Sequence, residues 1–466
     1  MKKKFFKNMS WMVVSKVFHM LVTFLVGIFT ARYLGPSGYG VINYVASYVA
    51  LFTAVSSLGL NGIIVNELVK DKDKGNEGKI IGTALIMRLV SSCISMFAVV
   101  FILYLLKPND KVIFTVAILQ SMALLFSIFD TIDYWYQSQL RSKVTTLLSM
   151  IAYTTAAVYK VIILVLDKSI EWFAFSATLD ALLVGIFLFI SYFANHGKKL
   201  EFSFKYGRYM LKQGYHFMIA AVMATIYAQV DKVMIGQMLG TKQVGLYSVA
   251  IVICGLWSFV PASVIASVSP IIMSNKQNNE ALYVKRLKQT YTGIIWSSIL
   301  YATFVTIFSK YIIMILYGAQ YAGANGPLII AVWYCAFAYI GAIKNIWLLC
   351  EGLQKYELIF TSVGASMNIL VNYLLIPIWG INGAAIATLL TQCLTNFIMP
   401  TLFKKTRKNT RYVIESTLFM GVDANIILNK IKTKLFGNKN TNKESREEKI
   451  DKEENKSDDT DDDDNK

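Results

Sequence analysis

Apolar residues in this chain come in long runs that polar residues only interrupt, at about 9–31, 41–65, 80–106, 112–136, 144–166, 172–195, 214–237, 244–273, 290–309, 326–350, 357–379 and 382–403. Each run approaches the ~20 residues that a helix needs to cross a hydrocarbon core. Lipid offers the backbone no hydrogen-bond partners, so runs of this kind fold as helices. The pattern predicts an all-α polytopic membrane protein with twelve transmembrane helices. Past the last run the pattern changes twice. Residues 406–436 carry spaced apolar positions with Lys430, Lys432 and Lys434 among them, as in a helix lying on a membrane surface. Residues 437–466 are charged and polar, ending in four aspartates, and read as a disordered tail.

The charges between runs sort by side. With the N-terminus inside, Lys70, Lys79, Arg141, Lys143, Lys198, Lys199, Lys205, Arg208, Lys212, Lys285, Arg286, Lys288 and Lys404 fall on the cytoplasmic connections, whereas the outer connections keep Arg32, Lys107, Lys111, Lys168, Lys242 and Lys310. This asymmetry puts both termini in the cytoplasm. Composition agrees: 55% of 466 residues are hydrophobic and 16% charged, which no soluble domain of this size sustains. The net charge of +17 is spent on topology and not on a basic stripe interleaved with aromatics, so nucleic acid is not expected as a partner. The five cysteines lie inside apolar runs without paired spacing, and His19, His196 and His216 have no ligand partner at helical spacing. No metal or cofactor is expected. No phosphate loop or nucleophile–histidine pair stands out, so the chain does not read as an enzyme.

Leu34-Gly35 is followed five positions later by Gly40, and Leu239-Gly240 by Gly245; each motif then enters a helix with tyrosines, Tyr44 and Tyr48 in one case and Tyr247 in the other. The offset is about six spans, which preserves orientation, and points to two parallel six-helix lobes, residues 1–200 and 201–405, around a central cavity. Asp231 and Lys232 stand side by side in the seventh run. Charges at such depth face a protein interior or a watery cavity; the alternative is a neutralised pair at the headgroup boundary with Lys232 snorkelling.

Three segments in this order resemble one family: Ala31-Arg32-Tyr33-Leu34-Gly35-Pro36-Ser37-Gly38-Tyr39-Gly40; Asp231-Lys232-x-x-Ile235-Gly236 with Leu239-Gly240 and Gly245-Leu246-Tyr247; and Pro377-x-x-Gly380-Ile381-Asn382-Gly383-Ala384-Ala385. Over roughly residues 1–405 the chain resembles the polysaccharide flippases of the Wzx type, in the multidrug/oligosaccharidyl-lipid/polysaccharide exporter superfamily. The resemblance implies an alternating-access fold in the bacterial cytoplasmic membrane that moves an undecaprenyl-diphosphate-linked oligosaccharide repeat unit from the inner to the outer leaflet. It implies as partners that lipid-linked glycan, membrane lipids and polysaccharide assembly proteins, with the chain acting as a monomer. A diphosphate needs cations in the seam, and the candidates are Lys16, Arg32, Arg88 and Lys232. Lys16 and Arg88 can also be read as boundary residues. For the sugar, Asn43 and Gln229 are the amides assigned to the cavity; other amides in the spans read as interhelical hydrogen bonds. Asp231 is the residue nominated for proton or sodium coupling, its protonation releasing Lys232. Two other readings compete: a multidrug or cation exporter of the same superfamily, and a membrane-embedded polysaccharide polymerase or ligase, which would need a large outer loop that the short connections lack.

Overall fold

The computed structural model describes residues 2–71 and 75–418. Along the chain run α1 (Lys2–Ser56), α2 (Asn61–Lys70), α3 (Glu77–Leu106), α4 (Lys111–Ser121), the single turn α5 (Ala123–Phe126), α6 (Asp130–Ser138), α7 (Ser142–Val165), α8 (Ile170–Ala194), α9 (Phe204–Met238), α10 (Thr241–Leu256), α11 (Phe259–Asn278), α12 (Glu280–Leu316), α13 (Asn325–Ala331), α14 (Tyr334–Cys350), α15 (Lys355–Cys393), α16 (Met399–Leu402) and α17 (Arg407–Thr417). Among the described residues, nine helices are long and apolar enough to cross a membrane, or ten if the pair Ala319–Ala331 and Tyr334–Cys350, bent by 46°, counts as one more. Two of the nine, Ser10–Lys70 and Lys355–Leu402, each take up two of the predicted runs. They are interrupted at Gly35 (φ 65°, ψ 176°) and Gly380 (φ 58°, ψ −138°).

The break at Gly35 has a local cause. Pro36 brings no N–H to continue the helix, and Gly35 takes a left-handed φ that a side chain would oppose. The matching glycine of the second motif, Gly240, has nearly the same backbone, φ 89° and ψ 170°. The later glycines of the two motifs meet. A Cβ on Gly40 would stand 1.8 Å from the Thr241 carbonyl oxygen, and one on Gly245 would stand 2.0 Å from that of Pro36. Such reciprocity is what a duplicated segment gives when it packs on its own copy.

The largest buried cluster lies at this junction, where Ala31, Tyr44 and Tyr48 of α1 meet Ile235 of α9 and Val244, Tyr247, Val249 and Ala250 of α10. One smaller cluster is drawn from residues 60–210 and another from residues 272–413. Gln237 bridges α9 to α1 by donating to the Tyr44 hydroxyl at 2.5 Å and to that of Tyr48 at 3.1 Å, an interhelical amide of the kind expected.

Of the surface helix predicted over 406–436, the described part is α17, and it is docked on protein. Tyr412 and Val413 are buried in the cluster beside α12. Tyr291 donates to Asn409 Oδ1 at 2.8 Å, and Thr292 to the Ser416 carbonyl at 3.0 Å. One face of α17 thus packs on α12, while Ile414 and Leu418 stay exposed. Residues 419–436 and the acidic tail lie outside the described residues. Glu415 accepts from Lys288 at 2.5 Å and from Arg411 at 2.7 Å, and these bonds hold its carboxyl below the ordinary value of 4.5. A lowered folded-state value means that the contribution is present above pH 4.5 and is lost as pH falls through the lowered value. A drop in the protection factors of the α17 amides on acidification, smaller in Glu415→Gln, is the expected result.

Candidate functional site

A cavity of about 760 Å3 lies between the two halves of the chain. The two parts of α1 supply most of its wall at helical spacing: His19, Thr23, Gly27 and Thr30 before the Gly35 break, and Tyr39, Asn43, Ala46, Ala50 and Thr53 after it. Gln120 of α4, Lys160 of α7, Ser176 of α8 and Gly255 of α10 complete its polar and small lining. The Gln120 side-chain oxygen is buried there without a hydrogen-bond partner among the described residues, an open acceptor for a hydroxyl or amide of a guest.

Charge in this wall comes from His19 of α1 and Lys160 of α7, which meet Asp180 of α8 in an adjoining recess. Lys160 Nζ lies 3.6 Å from Asp180 Oδ2 of α8, both side chains about one-fifth exposed. His19 shares their recess and rests on the Tyr153 ring, with centroids 4.0 Å apart. Lys160 and Asp180 lie in apolar runs of the sequence as a base and an acid that can pair; that Lys160 lines the cavity beside His19 is not legible there. The signal available was three titratable groups in three different apolar runs.

Tyr39 and Tyr317 line the cavity near the Arg32 end, where the halves are tied together. Arg32 Nε donates to the Leu316 carbonyl at 2.8 Å and its Nη2 to the Ile315 carbonyl, capping the C-terminus of α12. Gln320 and Tyr321 donate in return to the carbonyls of Arg32 and Ala31, both at 2.8 Å. At the opposite end α11 packs on α12 and α14 rather than on α1. There the halves meet through α9, where Gly214 touches the Leu58 carbonyl. Arg32 is exposed, so its bonds are screened and worth about 1 kcal/mol net. Arg32→Ala is expected to raise labelling of Tyr39→Cys from the Arg32 end about fivefold.

Of the residues selected from sequence, Asn43 lines the cavity. Lys16 is exposed one turn before His19 and Met20, in line with the α1 lining but outside the cavity itself. Arg32 is the junction cap just described. Arg88, 3% exposed, faces neither cavity nor lipid headgroup: it donates to the Ser127 carbonyl at 3.0 Å and to Thr131 at 3.1 Å, and lies 3.9 Å from Asp130. Its fork satisfies carbonyls freed where the helix breaks between α5 and α6. Gln229 and Lys232 are half-buried on α9 and do not line the cavity. Lys232 lies one turn from Gly236, which packs on the Tyr44 ring, so it stands at the seam between halves.

Asp231 forms no ion pair with Lys232 among the described residues, which removes the expected release of one by protonation of the other. Neighbours on a helix point about 100° apart, and Asp231 points into the C-terminal half. There its carboxylate accepts from the Tyr247 hydroxyl at 2.6 Å, Asn372 Nδ2 at 2.7 Å and Thr388 Oγ1 at 2.5 Å. Asn368 and Thr391 extend the cage, and Asn372 Oδ1 is buried without a partner. The sequence named Asp231 but none of these partners as its cage. Lys344 was missed as well: it is 1% exposed and held by Glu357 and Asn396, each at 3.0 Å. Among the described residues no group of three or more His, Cys, Asp or Glu converges.

The chain is 22% identical to an uncharacterized membrane protein of Methanocaldococcus jannaschii, MJ1068, over 415 residues covering 83% of this chain and 81% of that one. Among solved structures it resembles the lipid II flippase MurJ in an inward closed conformation, with a TM-score of 0.67, 15% identity, and coverage of 91% of this chain and 98% of that one. It also resembles the inward-facing conformation of a multidrug resistance MATE family transporter of the MOP superfamily, again with a TM-score of 0.67, at 13% identity and with 84% and 95% coverage. At these identities the likeness is one of fold. The family model for polysaccharide biosynthesis proteins matches residues 5–276, more than half of the chain. This multi-pass membrane protein therefore belongs to the polysaccharide biosynthesis protein family.

Proposed function

We propose that the protein is a flippase that carries an undecaprenyl-diphosphate-linked oligosaccharide repeat unit from the inner to the outer leaflet of the bacterial cytoplasmic membrane. Twelve crossings in two six-helix lobes would rock about the seam, with the Arg32 end outward and both termini in the cytoplasm. The observation that carries this reading is the cavity between the halves, tied shut at the Arg32 end, with Lys160 and His19 in its wall. A diphosphate arriving there competes with Asp180 for the Lys160 ammonium, because a multiply charged oxyanion in low dielectric outbids a single carboxylate at 3.6 Å. Sugar hydroxyls find acceptors such as Gln120 Oε1. Moving negative charge outward is favourable by about 2.3 kcal/mol per charge per 100 mV.

The Asp231 cage is the proposed coupling site. Its oxygens from Asp231, Asn368, Asn372 and Thr388 suit a hard monovalent cation, and the carboxylate suits a proton. Cells lacking the protein are expected to accumulate unflipped lipid-linked repeat units, and failure of these to accumulate would end this reading. In vesicles, Lys160→Gln is expected to slow flipping at least tenfold through loss of a charge-assisted bond. Efflux of a lipophilic cation that Asp180→Asn abolishes would favour the exporter instead.

A further inference from the structure

The start of α9 is longer than a membrane crossing requires. Its 35 residues span about 52 Å at 1.5 Å each, against about 30 Å of hydrocarbon. Its far end is fixed at the junction, where Gly236 packs on Tyr44, so the excess lies at the beginning. Over that stretch the helix has two faces. Gly207, Met210 and Gly214 are buried, with Gly207 against Met87 and Gly214 against the Leu58 carbonyl. The opposite face opens a groove of about 510 Å3 lined by Phe204, Lys205, Arg208, Tyr209 and Lys212. Phe204 is 77% exposed and Tyr209 42%.

The three cations follow one another at i, i+3 and i+7 and form no ion pair among the described residues. The neighbouring acids are already engaged: Glu67 with Lys70 at 2.9 Å and Glu201 with Lys79 at 3.9 Å. Three cations without an ion pair among the described residues and two exposed rings, on a helix end longer than the hydrocarbon requires, match an anionic headgroup layer in charge and in polarity.

We propose that this face of α9 is a docking surface for anionic phospholipid, with Lys205, Arg208 and Lys212 on the phosphates and Phe204 and Tyr209 seated at the headgroup boundary. The same helix carries Asp231 and meets α1 along the seam, so leaflet charge holds one end of the element about which the halves must move. This inference does not depend on the identity of the cargo.

The test uses the full-length protein in neutral detergent and follows its unfolding temperature as phosphatidylglycerol or phosphatidylcholine is added. Phosphatidylglycerol is expected to raise the midpoint and phosphatidylcholine to leave it unchanged. The K205Q/R208Q/K212Q variant is expected to bind phosphatidylglycerol about 100-fold more weakly, whereas Lys310→Gln, at an exposed cation of α12 near the Arg32 end, retains the parental response. If the triple variant does not fold, Arg208→Gln alone is expected to weaken binding about fivefold. An undiminished response in these α9 variants overturns the proposal. So does an equal rise with inorganic pyrophosphate, which would assign the groove to a soluble anion.

Discussion

Asp231→Ala is expected to lower stability by about 3–5 kcal/mol, because it strips the acceptor from three buried donors at once. Tyr247, Asn372 and Thr388 come from α10 and α15 and converge on that one carboxylate. Asp231→Asn separates this structural role from coupling. An asparagine oxygen in the place of Oδ2 still accepts from both hydroxyls. Its amide nitrogen then faces Asn372, whose unpartnered Oδ1 can take that bond if the Asn372 amide turns over. The asparagine variant should therefore fold, at a cost of about 1 kcal/mol, but without a site for a cation. Flipping in vesicles is the measurement, with sodium and proton gradients imposed separately. Loss in Asp231→Asn of whichever dependence the parent shows is the expected outcome; a variant with parental ion dependence would remove Asp231 from the coupling step.

The second large effect is steric. Gly245→Val is expected to force the Arg32 end open, since even the first carbon of the new side chain would stand 2.0 Å from the Pro36 carbonyl oxygen. Backbone cannot give way there as the tip of a side chain could, and overpacking typically costs 1–3 kcal/mol or more. On a two-state equilibrium that is a shift of about tenfold to a hundredfold toward the open junction. Gly40→Val makes the mirror-image test, with the Thr241 carbonyl at 1.8 Å. Spin labels at the exposed positions Ser37 and Lys242 should separate in either variant, and transport should slow because the closed state is visited less often. Distances unchanged from the parent would mean that the two loops are not the contact that closes this end.

Both predictions rest on positions that the sequence offered in part. The glycines at 35, 40, 240 and 245 repeat at one spacing, and the structure pairs them. Arg88 and Arg32 were visible as charges in apolar surroundings, yet each proved to be satisfied by backbone carbonyls at a helix break or helix end. A linear pattern reports that a charge is buried and leaves open what neutralises it. The cavity's own cluster was harder to see: His19, Lys160 and Asp180 lie on α1, α7 and α8, and nothing in any one helix announces the other two.

Sequence alone determined the helical class, the apolar segments and the duplicated glycine motif, because all of these follow from local properties: backbone satisfaction in lipid, segment length, and the backbone freedom of glycine. Tertiary structure decided which polar residues face the cavity. In a membrane the lipid is as apolar as a protein core, so hydrophobicity does not distinguish the face of a helix that meets lipid from one that meets another helix. Helix rotation is then set by partners distant in sequence, as Asp231 shows by joining residues 141 and 157 positions away, and by the close packing that only the assembled bundle provides.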